Sequence, residues 1–131
     1  MIIDDSDIDL FIARSYVRQT GFADIVMIEK SAESALEHLQ MNARKMDDLP
    51  EIIFLDINMP GLSGFDFLER FARLSITIRE KCKIIMLSSS IALEDIQKAE
   101  ANVYVNRFIH KPLDALKLFA ISHGQHALIA A

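Results

Sequence analysis

The stretch Ile52-Ile53-Phe54-Leu55-Asp56-Ile57-Asn58-Met59-Pro60-Gly61 decides the fold. An unbroken apolar run from Ile52 to Leu55 meets an acid, and the acid opens a loop restricted by Pro60, Gly61 and Gly64. A short run that is apolar at every position reads as a strand buried on both faces, which is the habit of parallel sheets. Three more runs end in the same manner. Met1–Ile3 stops at Asp4-Asp5, Cys82–Leu87 at Ser88-Ser89-Ser90, and Tyr104–Ile109 at His110-Lys111-Pro112. In an open α/β sheet the carboxyl ends of the strands form the ligand crevice. The pattern therefore predicts that Asp4, Asp5, Asp56, Ser88 and Lys111 converge on one pocket.

Asp24–Ile28 is expected as a further strand, and helical segments separate all of these runs. Asp7–Gln19 carries Ile8, Phe11, Ile12 and Tyr16 at helical spacing, with Ser6 as its cap and Gly21 as its stop. Ser31 caps a helix with Ala32, Ala35, Leu36 and Leu39 on one face. Gly64–Arg73 turns Phe65, Leu68 and Phe71 inward, and Leu93–Ala101 and Leu113–Ser122 complete the helices, Gly124 interrupting the last. Lys45–Leu49 reads as a polar loop, and Leu74–Lys81 as a longer connection with room for one helical turn. The tail Gln125–Ala131 is small and apolar and receives no assignment. Strict alternation without repeat or linker predicts a (βα)5 architecture: a five-stranded parallel sheet, doubly wound, in a three-layer sandwich.

Composition narrows the function. A chain of 131 residues, 51% hydrophobic and 25% charged, suits one soluble domain with a full core. The net charge of −5 argues against a nucleic-acid surface, and the basic runs Arg44-Lys45 and Arg79–Lys83 are short. No apolar run approaches a membrane span and no signal-peptide pattern opens the chain. A single cysteine, Cys82, excludes an internal disulfide and reads as a buried structural thiol, so a reducing, cytoplasmic setting is expected.

The convergent set has a chemistry. Packed carboxylates repel one another and raise one another's pKa, which a divalent cation relieves. Magnesium takes hard oxygen ligands, and two carboxylates with a backbone carbonyl after Asp56 meet that demand. Asp56, at the end of the central apolar strand, is the candidate nucleophile for an acyl phosphate. Lys111 supplies a point charge for one phosphoryl oxygen and Ser88 a hydroxyl for another. A hydroxyl drawn inward only when phosphate is present is a trigger for a population shift. Taken singly each piece has a blander reading: the acid pair as a helix start, the serines as a turn, Lys-Pro as a loop. His38, His110, His123 and His126 show no ligand pattern and read as surface residues.

With these residues in place, from Ile2 to Ser122 the chain resembles the receiver domain of two-component response regulators, of the single-domain, CheY-like type. The resemblance implies a flavodoxin-like sheet of order 2-1-3-4-5, a receiver over residues 1–122 and a tail over 123–131. By position, Asp56 resembles the phosphorylated aspartate, Asp5 the direct magnesium (or manganese) ligand, and Asp4 the acid acting through a water. The Asn58 backbone carbonyl resembles the third protein ligand, Ser88 the switch hydroxyl, Lys111 the phosphate-binding lysine, and Phe108 the switch aromatic. Phe108 alone reads equally well as core filler. Pro112 is expected to follow a cis bond. The implied donors are a sensor histidine kinase or a histidine phosphotransfer protein. The implied output surface lies near Leu93–Ser122, on a monomer or a phosphorylation-dependent dimer.

The chain departs from the family pattern in a short first strand, in Ser88 where threonine is commoner, in Ser89 beside the site where alanine is frequent, and in Ser63 where an acid is common. Three other classes compete. A haloacid-dehalogenase-type phosphohydrolase needs a second acid where Asn58 stands. A pseudo-receiver would bind partners only. A flavodoxin-like protein would place anionic FMN in a carboxylate-rich pocket.

Overall fold

The computed structural model describes residues 1–124. Its five strands are β1 (Ile2–Ile3), β2 (Ile28–Glu29), β3 (Ile52–Asp56), β4 (Lys83–Ser88) and β5 (Val105–His110). All neighbouring pairs are parallel and the order is β2-β1-β3-β4-β5, as expected. Helices α1 (Asp7–Thr20), α2 (Ala32–Met41), α3 (Gly64–Phe71), α4 (Ile76–Lys81), α5 (Leu93–Ala101) and α6 (Ala115–Ser122) connect and flank them.

Side-chain alternation along the strands builds one core on each face. Ile53 and Leu55 of β3, with Ile84 and Met86 of β4, meet Leu36, Leu39, Phe67, Phe71 and Ala99 beneath α2, α3 and α5. Phe54, Ile85 and Leu87 point the other way, onto Leu10, Ala13 and Val17 of α1 and Leu118 of α6. Burial on both faces explains why these strands read as continuous apolar runs.

Four details depart from expectation. The second strand is confined to Ile28–Glu29 and does not begin at Asp24, since β1 offers only Ile2 and Ile3 as pairing partners. The region read as a polar loop contains a single tight helical turn, Met46–Asp48. The connection after α3 holds helix, as expected, but α4 runs six residues rather than a single turn and is anchored by fully buried Ile78. The roll of α1 is also rotated from its reading: Ile12 and Tyr16 of the expected stripe are half-buried, Tyr16 against the core, but the other two are not. Leu10, Ala13 and Val17 are buried, while Ile8 and Phe11 are each 72% exposed. Both stripes have helical spacing, so periodicity alone cannot choose between them.

The helix starts are set by side chains. Ser6, Ser31, Ser63 and Asp114 each accept a backbone N–H of the first turn, a contact worth about 1 kcal/mol. At α3 the box is reciprocal: Ser63 accepts from the Asp66 amide, and Asp66 accepts from the Ser63 amide at 2.9 Å. The final helix ends at Ser122, with Gly124 in the left-handed region at φ 67°. Residues 125–131, including His126 and most of the expected tail, lie outside the described residues.

Candidate functional site

Asp56 closes β3 between two neighbouring strands. Its register partner on β4 is Leu87, and the Ile57 amide donates to the Leu87 carbonyl at 3.1 Å, extending the ladder one residue past the strand. The chain then turns through Gly61, at φ 75°, and returns so that the Gly64 amide donates to Ile57 O at 2.8 Å. A Cβ on Gly64 would lie 2.6 Å from the Asp56 carbonyl oxygen, so only glycine permits this close start of α3.

Asp4 and Asp5 follow β1, the neighbour of β3 on the other side. One ligand atom from each of Asp4, Asp5 and Asp56 falls within 4.8 Å of the others. Their environments differ. Asp4 is buried, and both of its oxygens are engaged, Oδ1 by the Ser6 amide at 2.9 Å and Oδ2 by Lys111 at 2.7 Å. Asp5 is exposed, and no side chain among the described residues pairs with it. Asn58 is exposed on the loop that follows Asp56.

Lys111 arrives from the end of β5. Its amide donates to Ser88 O at 2.8 Å, locking the two strand ends together, and its bond to Pro112 is cis, as expected. The ammonium contacts three carboxylates: Asp4 at 2.7 Å, Asp9 at 2.8 Å and Asp56 at 3.2 Å. Ser88 is fully buried, and its hydroxyl oxygen accepts the Ser90 amide at 3.0 Å.

Electrostatics follow from this packing. Burial, then the charge of Asp4, push the Asp56 carboxyl up to about 6, against the opposing pull of Lys111. Burial by itself would lower the Lys111 ammonium, but its bonds to Asp4 and Asp9 and the charge of Asp56 hold it above the ordinary lysine range. The cluster thus carries more negative charge than one lysine neutralises. Such an oxygen-rich, acid-heavy set fits a hard divalent cation.

Phe108 is buried opposite Met86, on the face shared with Ile84 and Ala99. A register shift between Ile84 and Ile85, which pair with Val105 and Arg107, precedes it. Tyr104 packs edge-on against Phe71 and accepts from Arg79, away from the acids. Burial pushes the Cys82 thiol up to about 11, in keeping with an inert structural role. His110 contacts Ser89 O, His38 lies 3.5 Å from Glu29, and His123 stacks on Phe119; none joins the acid cluster.

Sequence reasoning missed Asp9. Its signal was present in Ser6-Asp7-Ile8-Asp9, an acid three residues after a cap, which reads as helix-start chemistry.

A family model of the response regulator receiver domain matches residues 1–122. The chain belongs to the response regulator receiver family. A crystal structure of a two-component response regulator from Cytophaga hutchinsonii is 31% identical with a TM-score of 0.86, covering 94% of this chain and 92% of that one. A receiver protein from Dyadobacter fermentans is also 31% identical, with a TM-score of 0.80 and 95% of each chain covered. Among curated proteins, the probable methanogenesis regulatory protein FilR2 of Methanothrix harundinacea is 23% identical over 113 residues, 86% of this chain and 71% of that protein. The protein is therefore a receiver domain, a signalling module of two-component systems. Membership sets aside the phosphohydrolase and flavodoxin readings. No helix among the described residues is long and apolar enough to cross a membrane.

Proposed function

We propose that this receiver takes a phosphoryl group from a phosphohistidine donor onto Asp56 and thereby switches its binding to a downstream protein. The observation that supports this best is Lys111 held 3.2 Å from a buried Asp56 inside a three-carboxylate cluster. In the transfer, phosphorus forms a bond to a carboxylate oxygen of Asp56 as its bond to the donor histidine nitrogen breaks. The nitrogen keeps the electron pair, and the receiver gains a dianionic group beside Lys111.

Magnesium, or manganese, would be held by Asp5, Asp56 and the Asn58 backbone carbonyl, with Asp4 acting through a water. The occupied oxygens of Asp4 and the unpaired carboxylate of Asp5 favour that division of labour. When bound, the cation neutralises charge that develops on the transferring phosphoryl oxygens. Lys111 takes one phosphoryl oxygen. Ser88 takes another by turning its hydroxyl away from the Ser90 amide, and Phe108 moves with it. The surface formed by residues 93–122 carries the change to a partner, on a monomer or a phosphorylation-dependent dimer. Residues 1–122 act as the receiver and 123–131 as a tail, in the cytoplasm.

Transfer of labelled phosphate from a phosphorylated histidine kinase or phosphotransfer protein tests the reading. Wild type is expected to become labelled and Asp56→Asn to remain blank. Equal labelling of both would overturn it, and no labelling from any donor would leave a partner-binding pseudo-receiver.

A further inference from the structure

The start of α1 uses its capping residues differently from the start of α3. Both have the pattern Ser-x-x-Asp, in Ser6–Asp9 and in Ser63–Asp66. In α3 the acid folds back onto the amide of its own cap. In α1 the equivalent amide, Ser6 N–H, is already taken by Asp4 Oδ1 at 2.9 Å. Asp9 still donates its own amide to Ser6 Oγ, at 3.3 Å, but its carboxylate is free to leave the helix start. It reaches Lys111 Nζ at 2.8 Å instead.

An ammonium has three N–H donors. Lys111 donates hydrogen bonds to Asp4 and Asp9 at 2.7 and 2.8 Å, and Asp56 lies beside the ammonium as an ion pair at 3.2 Å. A phosphoryl group on Asp56 brings more negative charge to the ammonium than the carboxylate it replaces, and so competes with Asp4 and Asp9 for the lysine. Asp4 is nearly inaccessible, so losing the lysine would leave a buried charge unpaired. Asp9 is different: its side chain is 39% exposed and water can take over its solvation. A cavity of about 230 Å³ lined by Asp4, Asp9, Ile12 and Lys111 gives the ammonium and the carboxylate room to part.

We infer that Asp9 is a positioning residue: it holds Lys111 poised beside Asp56 in the resting receiver, and yields the lysine when a phosphoryl group arrives. The inference rests on the proposed receiver chemistry and adds a residue to it. Asp9 competes with the phosphoryl group for one cation, so it weakens phosphoryl binding in the resting protein.

The test is titration of beryllium fluoride, a non-covalent phosphoryl mimic, at saturating Mg²⁺ into wild type, Asp9→Asn and Asp9→Glu. Asp9→Asn is expected to bind about two- to fivefold tighter, the scale of one partly exposed ion pair. Asp9→Glu is expected to return toward wild type. The side-chain ¹⁵N signal of Lys111 should differ between resting wild type and resting Asp9→Asn, and coincide once the mimic is bound. A purely structural Asp9 would give the opposite sign, weaker binding with a lower melting temperature. Unchanged or weaker binding by Asp9→Asn overturns the inference while the receiver reading stands. If wild type itself neither binds the mimic nor takes phosphate from phosphoramidate, both fail.

Discussion

Lys111 Nζ lies 3.2 Å from Asp56 Oδ1, although Lys111 follows β5 and Asp56 ends β3, and β4 separates the two strands. The side chain spans the end of β4, while the Lys111 amide is pinned to Ser88 O on that strand. One lysine therefore serves the cluster from a fixed backbone position. Lys111→Ala should leave Asp4 and Asp56 without their cation and destabilise the domain by about 3 kcal/mol near neutral pH. The loss should shrink toward about pH 5, as protonation relieves the repulsion. Denaturant melts at both pH values check this, and a loss that grows on acidification would contradict it.

Asp56 itself works against stability when the cluster holds no metal. Its carboxyl is raised from 3.8 in the unfolded chain to about 6 in the fold, by burial and then by Asp4. The native state therefore binds this proton more tightly than the unfolded state. The sign follows: stability contributed at low pH is lost as pH rises from about 4 through 6. In thermal melts without metal at about pH 7.5, Asp56→Asn should melt roughly 4 °C higher than wild type, and the gain should fade by about pH 5. A lower melting temperature for Asp56→Asn at the higher pH would refute the assignment of strain to this carboxylate.

Magnesium should reverse the same effect. A cation that binds the ionised cluster stabilises the fold by mass action, and it competes with the proton on Asp56. The rise in melting temperature on adding Mg²⁺ should be large at about pH 7.5, small at about pH 5, and abolished by a chelator. Asp5→Asn should reduce it strongly. An Mg²⁺ effect independent of pH and of Asp5 would place the cation elsewhere.

Gly64 offers a prediction whose sign is decided by sterics. At an ordinary helical position, Gly→Ala stabilises by about 1 kcal/mol. Here the new Cβ would meet Asp56 O at 2.6 Å and Ile57 Cα at 2.9 Å, both backbone atoms that cannot swing aside. Gly64→Ala should therefore destabilise, by about 2 kcal/mol, and displace the Asp56 carbonyl enough to weaken Mg²⁺ binding. Urea titration with and without Mg²⁺ reads both effects; a stabilised variant would show that α3 can withdraw from β3.

Most of the sheet was legible because β3 and β4 are buried on both faces, and runs such as Ile52–Leu55 and Ile84–Leu87 admit few other readings. The pocket was legible for the same reason, since strand ends fall on one edge of a parallel sheet. The roll of α1 was not. Ile8 and Phe11 form as good a stripe as Leu10, Ala13 and Val17, and only packing on Phe54 and Leu87 selects the second. Asp9 was hidden by a competing local explanation. Its spacing from Ser6 predicts a capping box, and nothing local reveals that Asp4 has taken the Ser6 amide. The short second strand was overextended because its length is set by Ile2 and Ile3, far away in sequence.

The most direct test of the central claim is intact-mass analysis after incubation with phosphoramidate or acetyl phosphate, with and without Mg²⁺, on wild type and Asp56→Asn. The account predicts a single phosphoryl adduct on wild type that requires Mg²⁺, is labile to base and is absent from Asp56→Asn. An adduct that persists in Asp56→Asn, or forms equally without the cation, would contradict it.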